Sequence, residues 1–373
     1  MSTQTLKNWQ EVKFKDFIKL QRGFDLPKQD RREGEYPVIA STSVTGYHDE
    51  YKVEPPCVTT GRSGALGEVL YITSKCWPLN TVLWVKDFKD NDPYFVYSKL
   101  KTLHLEQYNS GAGVPTLNRN HLDQILIDLP SVEEQKEIAS VLSTYDNLIE
   151  NNNRRIKILE QMAQAIYSEI QHDGIETALR DVITINRGRS YGSAELSETE
   201  GVPFVNLKCI DRDGGFRKSG LKRFTGTYKD TQKVTAGDIV IAVTDMTQDR
   251  RIVARAARIP TLDGGFGVIS MDLVKIQPKE GNDPDYIYAL LRWSGFADEV
   301  KNHANGANVL HLIPERITDY KTHIAPEDAQ IEFGKKVKPI FDLIDKLELQ
   351  NENLRQTRDS LLPKLVGGEL TIK

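Results

Sequence analysis

The hydrophobic pattern of this chain changes period along its length, and the same change occurs twice. Between residues 57 and 85, apolar and β-branched residues come in short runs: Val58-Thr59-Thr60, Val69-Leu70-Tyr71-Ile72 and Thr81-Val82-Leu83-Trp84-Val85. Gly, Pro and Asn punctuate these runs, as expected of short strands joined by turns. A helical stretch near Pro93–Leu103 follows. From Ile138 the period lengthens, and Ile138, Leu142, Tyr145, Ile149, Asn152, Ile156, Leu159, Ala163, Ile166 and Ile170 alternate at spacings of four and three. A stripe this long and regular is a coiled-coil seam rather than one face of a globular core. The cycle then returns. Strand runs at 238–243 and 271–276 and a helix near Pro284–Ser294 lead into a second stripe, Phe333, Val337, Ile340, Ile344, Leu347, Asn351, Leu354, Arg358, Leu361 and Leu365.

Residue identities also repeat. Gly111-Ala112-Gly113-Val114-Pro115-Thr116-Leu117 corresponds to Gly306-Ala307-Asn308-Val309-Leu310-His311-Leu312, 195 residues later (306 − 111), and at this offset Gln135 falls on Gln330. The starts of the copies, Lys15–Gly23 and Arg180–Gly188, match at 165 residues (188 − 23), so the second copy is longer by about 30 in its middle. A retained scaffold with diverging loops produces this pattern. Each seam helix starts after a proline, Pro130 or Pro326, and Ser131-Val132-Glu133-Glu134 reads as a capping box.

Antiparallel pairing of the two helices, with Asn152 facing Asn351, puts Ile138 on Leu365, Leu142 on Leu361, Ile149 on Leu354, Ile156 on Leu347, Ala163 on Ile340 and Ile170 on Phe333. Only Tyr145 against Arg358 is amphipathic, and both can snorkel. A buried Asn pair fixes register, because a slip leaves an amide unpaired among aliphatics. The seam from Ile138 to Ile170 spans about 48 Å at roughly 1.5 Å per residue. The predicted fold is α+β: globules at 1–130 and 173–325 separated by helices at 131–172 and 326–373 that pair as an antiparallel coiled coil.

Composition excludes more than it assigns. In 373 residues, 39% hydrophobic and 27% charged content is that of a globular protein, and the formal net charge of −4 gives no nucleic-acid signal by itself. The opening MSTQTLKNWQ has no apolar run, which predicts no secretory signal. No apolar run reaches membrane-spanning length. Cys57, Cys76 and Cys209 form no CxxC pair and read as reduced thiols in a cytoplasmic protein.

Catalytic signatures are weak. Gly61-Arg62-Ser63-Gly64-Ala65-Leu66-Gly67 lacks the Lys-Ser/Thr ending of a phosphate-binding loop and reads as a turn. Asn91-Asp92-Pro93-Tyr94 resembles the Asp-Pro-Pro-Tyr motif of adenine methyltransferases, yet Asn282-Asp283-Pro284-Asp285 stands at the matching place, where Asp-Pro serves as a helix start. His104, His121, His303 and His311 show no ligand spacing, so no metal site is expected. Charge is uneven, however. Residues 205–260 hold twelve Lys or Arg against six Asp, a local excess of six that suggests a phosphate-facing surface.

Three features resemble the specificity subunits of type I restriction–modification systems. They are Ser110–Asn118 leading into Leu129-Pro130-Ser131-Val132-Glu133-Glu134-Gln135, the recurrence of that block, and the ending Leu361-Leu362-Pro363-Lys364-Leu365-Val366-Gly367-Gly368-Glu369-Leu370. The second block departs from the first, with Ala329 where the first has Glu134. The resemblance implies a non-catalytic subunit whose globules are target recognition domains, each reading half of a bipartite, asymmetric site on double-stranded DNA. The paired helices would space the halves and carry two methyltransferase subunits, with motor-nuclease subunits able to join. S-adenosylmethionine and ATP with magnesium would be held by those partners, none by this chain, and no membrane is involved. Two other readings, a free-standing methyltransferase-like enzyme and a scaffold with no DNA role, are separated from this one by S-adenosylmethionine binding and by sequence- and salt-dependent DNA binding.

Candidate base readers lie on loops beside glycine, where a backbone can approach a groove. In the first globule these are Arg62 and Ser63, with Arg22 behind them; in the second, Arg187, Arg189, Thr244, Arg250 and Arg251. Arginine contacts guanine bidentately, whereas lysine chiefly neutralises phosphate.

Overall fold

A computed structural model describes residues 9–111, 113–170 and 174–372. The opening octet, Ala112 of the glycine block and the expected boundary at 172/173 lie outside the described residues. The chain divides into two compact units, Met1–Glu150 with Asn351–Lys373, and Asn151–Gln350.

In the first unit the short apolar runs form a four-stranded antiparallel sheet. Its strands are β1 (Lys19–Arg22), β2 (Cys57–Gly61), β3 (Val69–Ile72) and β4 (Val82–Asp87), in the order β1-β4-β2-β3. β2 is buried throughout because alternate residues meet different cores: Val58 joins Phe95 and Val96, while Cys57 joins Ile39, Val53 and Cys76. A smaller sheet places Tyr36–Ile39 between Val44–His48 and Trp77–Pro78. The entering strand Gln10–Lys13 pairs antiparallel with the leaving strand Leu126–Leu129.

Helix α1 (Pro93–Thr102) begins where the Asp-Pro step predicts. The Asp92 carboxylate accepts from the Tyr94 and Phe95 N–H groups at 2.9 Å, and Pro93 occupies the first turn. The Tyr94 hydroxyl donates to Asp146, and burial followed by that bond pushes its pKa up. With Asn91 Nδ2 donating to Phe17 O at 2.8 Å, all three polar side chains of the methyltransferase-like tetrapeptide are engaged within the fold.

Two long helices follow the seams, α2 (Val132–Ile170) and α4 (Glu327–Val366), the latter named after the short α3 (Pro284–Trp293) that precedes it. Ser131 caps α2, accepting from Glu134 N–H at 3.2 Å. The reciprocal half of the box is replaced: Glu134 Oε1 accepts the Trp9 indole N–H at 3.1 Å. Ala329 cannot duplicate that bond in the second copy. Ile138 and Leu142 pack with Leu361 and Leu365 in one core, burial worth about 1.5–3 kcal/mol per large aliphatic side chain. At the level of the expected Tyr145–Arg358 layer, the Arg358 guanidinium pairs with Asp146 and Asp359, which satisfies the charge of a half-buried cation.

The second unit repeats the plan. Strands β5 (Ile183–Arg187), β6 (Ile239–Ala242), β7 (Ala256–Arg258) and β8 (Leu273–Pro278) take the order β5-β8-β6-β7, the same permutation as in the first. The added length goes into a five-stranded sheet of Leu196–Ser197, Lys222–Phe224, Val202–Val205, Gly267–Ile269 and Lys233–Val234, where the first copy has three strands. Entering and leaving strands Ile175–Ala178 and Lys321–Ile324 again pair. Asp283 caps α3 through Tyr286 N–H at 3.0 Å.

Here Ala163 and Tyr167 of α2 and Phe333, Val337 and Phe341 of α4 enter the globule's core. Tyr167 and Phe341 lie off the predicted seam, and the Tyr167 ring sits 6.0 Å from Tyr286 and 6.1 Å from Phe333. Asn152 and Asn351 are both buried, and Asn152 Nδ2 donates to Gln350 Oε1 at 3.2 Å. The helices run antiparallel: Asp146 meets Arg358 in the first unit, while Asn152 meets Gln350 and Tyr167 meets Phe333 in the second. No helix among the described residues is long and apolar enough to cross a membrane.

Candidate nucleic-acid interface

In both copies the glycine block supports the loop that carries candidate readers. A side chain on Gly111 would lie 2.1 Å from the Val114 carbonyl, and one on Gly306 1.9 Å from the Val309 carbonyl, so these tight turns exclude larger residues. On the first block rests the loop after β2. Leu117 N–H donates to Arg62 O at 2.8 Å, Gly64 N–H to Pro115 O at 3.0 Å, and Ser63 bridges to Thr116. The Ser63 carbonyl accepts from Ser41 Oγ at 2.9 Å, which fixes the loop from its other side.

Arg22, Arg62 and Arg119 line one open hollow of about 680 Å³ with Ser110 and Asn118. Arg62 Nη1 donates to Asn80 O at 3.3 Å and Arg119 Nη1 to Leu20 O at 3.4 Å. Arg22 faces Asp25 at 3.4 Å, with both side chains more than half exposed. An exposed pair of this kind is worth at most about 1 kcal/mol, so the guanidinium is readily exchanged to a phosphate. Arg119 was absent from the sequence candidates. Its signal was its position directly after Thr116-Leu117-Asn118, where Asn118 caps a helical turn by accepting from Asn120 N–H at 3.1 Å.

In the second copy, strand Thr244–Asp245 pairs with Leu310–His311 of the glycine block. The Thr244 side chain is buried, and its hydroxyl donates to Asp272 Oδ1 at 3.0 Å, which commits it to the interior. Asp245 organises the loop beyond. Its carboxylate accepts from Ile252 N–H at 2.8 Å, Thr247 N–H at 2.9 Å and Thr247 Oγ1 at 2.8 Å. Burial raises its pKa, but these bonds outweigh burial and hold it below the ordinary carboxylate value.

The loop so held presents two arginines differently. Arg250 adopts a left-handed backbone (φ 51), is half-buried, and donates from Nη2 to Ala304 O at 3.4 Å. Arg251 is exposed and has no ion pair among the described residues. Arg187 is exposed and faces Glu315 at 3.5 Å, while Arg189 donates from Nε to Thr227 O at 2.9 Å and faces Glu195 at 3.6 Å. The structure thus places Arg22 and Arg62 in one hollow of the first globule, with Ser63 next to Arg62 on the loop that bridges to Thr116.

The excess charge of residues 205–260 is mostly offset by acids from outside that stretch. Lys222 faces Glu198, Arg223 pairs with Asp263, Arg255 with Asp298, and Arg258 with Asp285 and Asp345. Counting along the sequence misses acids that folding brings in from elsewhere. Lys208, Arg212, Arg217, Lys229 and Arg251 remain as exposed cations outside any ion pair among the described residues. No group of three or more His, Cys, Asp or Glu among the described residues is arranged to hold a metal ion.

Residues 6–161 match the family model described as the type I restriction modification DNA specificity domain. The type I restriction enzyme MjaVIII specificity subunit of Methanocaldococcus jannaschii is 24% identical to this chain, over 98% of this chain and 94% of its own length. The MjaIX specificity subunit of the same organism is 25% identical, over 75% of this chain and 68% of its own. In fold, the chain is similar to the crystal structure of a type I restriction–modification system S subunit from M. genitalium, with a TM-score of 0.63, 17% identity and 98% of each chain covered.

Proposed function

We propose that this chain, whose residues 6–161 match the type I restriction modification DNA specificity domain, is a specificity subunit that reads a split site on double-stranded DNA on behalf of other subunits. In this reading each globule, within residues 1–130 and 173–325, is a target recognition domain for one half-site. The helices within 131–172 and 326–373 set the interval between halves and seat two methyltransferase subunits, with Asn152 opposite Asn351 as the register pair. The chain itself is non-catalytic and cytoplasmic. S-adenosylmethionine for adenine methylation belongs to the methyltransferase partners, and ATP with magnesium belongs to motor-nuclease subunits where these join.

One observation supports this reading above others: the four-strand order, the Asp-Pro helix cap and the glycine block all occur twice, while the surrounding loops and smaller sheets differ. Duplicated scaffolds with unlike loops suit two unlike half-sites, because phosphate contacts position a reader and loop side chains specify bases. Methylome sequencing of cells with and without the gene tests it. The expected result is one bipartite adenine-methylated motif that disappears with the gene. Adenine methylation or S-adenosylmethionine binding by the purified chain alone would overturn the non-catalytic role.

A further inference from the structure

Gln135 and Gln330 are deeply buried amides at the first turns of α2 and α4, and each makes the same three bonds. Gln135 Oε1 accepts the Asp92 N–H at 3.0 Å, while its Nε2 donates to Asn91 Oδ1 at 2.8 Å and Pro130 O at 3.2 Å. Gln330 Oε1 accepts the Asp283 N–H at 3.0 Å, while its Nε2 donates to Asn282 Oδ1 at 3.5 Å and Ala325 O at 2.8 Å. One amide thus ties three segments: the start of the long helix, the cap of the short helix, and the strand leaving the globule. Asn91 extends the tie, donating to Phe17 O at 2.8 Å and Phe88 O at 2.9 Å, and Asn282 does so to Lys279 O at 3.3 Å.

The packing around this tie has diverged. In the first copy Tyr71, Tyr94 and Tyr97 meet edge-on or tilted, with ring centroids 5.1–5.6 Å apart. In the second, β7 and α3 offer Arg258, Asp285 and Tyr288 instead, with Arg258 bonded to Asp345 of α4 at 2.8 Å. Close approach is kept in the second copy by Gly334, where a side chain would lie 2.4 Å from Asp283 Oδ2. Two of the three tyrosines give way to an Arg258–Asp285 pair while the glutamine geometry stays, which separates the tie from general core packing.

We propose that Gln135 and Gln330 are positioning residues that lock each reading globule to the first turn of its own long helix, and that these locks set how strictly the interval between half-sites is held. The inference rests on the bipartite reading proposed above. A globule on a loosened joint samples more orientations and so tolerates intervals that a rigid joint rejects.

The test uses the complete complex, first to define the methylated motif, then on duplexes with the interval shortened or lengthened by one base pair or with one base changed in either half. The wild type is expected to prefer one interval sharply. Gln135→Ala and Gln330→Ala should each raise methylation of off-length duplexes relative to the native length roughly tenfold, with base discrimination inside each half unchanged. Gln135→Met, which fills the same space without charge and loses all three bonds, should give the same off-length methylation, and it carries the test if the alanine variants fail to fold. Uniform loss at every interval, or altered base choice with an unchanged interval profile, would overturn the lock. A wild-type complex indifferent to interval would overturn the bipartite reading and the lock with it.

Discussion

Arg251 holds its guanidinium in solvent, whereas its neighbour Arg250 is half-buried and already donates to Ala304 O. The two should therefore fail differently on substitution. Arg251→Ala is expected to weaken binding to all duplexes and reduce the salt slope by about one, as loss of a phosphate contact does. Arg250→Ala should cost roughly 1–3 kcal/mol and relax one position of the second half-site, as loss of a base contact does. Binding isotherms at several salt concentrations separate the two; unchanged affinity with folding intact would remove either residue from the interface. A second residue has a pH signature. Glu348 lies in a hollow with Glu160, Asp345, Arg258 and Arg292, where burial first, then Asp345 and Glu160, push its carboxyl up to about 7 from an ordinary 4.5. A raised carboxyl binds its proton more tightly when folded. Its stabilising contribution is therefore complete below about pH 4.5 and is lost as pH rises through about 7. Glu348→Gln, neutral at every pH, should raise Tm at pH 8 and change it little at pH 4.5. An equal shift at both would show that Glu348 does not titrate in this range.

At the scale of elements, the long helices offer a sharp test of register. Ile149 is buried and Leu354 half-buried, and both lie in the stretch where Asp146 meets Arg358. Cysteines at these two positions should form an intrachain disulfide, whereas Ile149→Cys with Leu361→Cys, about 10 Å further along at roughly 1.5 Å per residue, should not. The native thiols should not interfere: all three are buried, Cys57 is raised by its hydrogen bond with Cys76 and by burial, and burial pushes Cys209 up to about 12. Interchain products alone would sink the pairing. That stretch also shows what a sequence makes legible. Strands β2, β3, β4, β6 and β8, both short helices and both seams could be read in advance, the strands from apolar runs between turn residues, the short helices from their Asp-Pro starts and the seams from a 3.5-residue period. The faces of Tyr167 and Phe341 toward the globule could not, since a seam period reports only the stripe shared by the helices. Nor could the acids that offset the basic stretch at 205–260, because these meetings depend on strand order rather than on neighbours in sequence.

At the scale of the whole molecule, each globule is built as a removable insert. Gln10 sits opposite Leu129 and Ile175 opposite Ile324, so in both copies the chain enters and leaves through one antiparallel pair of strands. Adjacent ends are what let a compact segment be exchanged without disturbing its host. The second globule also has its own core, but that core extends onto Ala163, Tyr167, Phe333, Val337 and Phe341 of the long helices. Replacing about residues 173–325 with the matching region of a relative should therefore succeed when the donor fits those five side chains and supplies a glutamine-bonded Asp-Pro cap. The chimera is expected to methylate a motif in which one half changes and the other is retained. Methylome sequencing of cells carrying it reads both halves at once. A change in both halves would mean that the globules read jointly. Retention of both, with the chimera folded and methylation active, would mean that sequence is read outside residues 173–325, and the assignment of one half-site to each globule would be wrong.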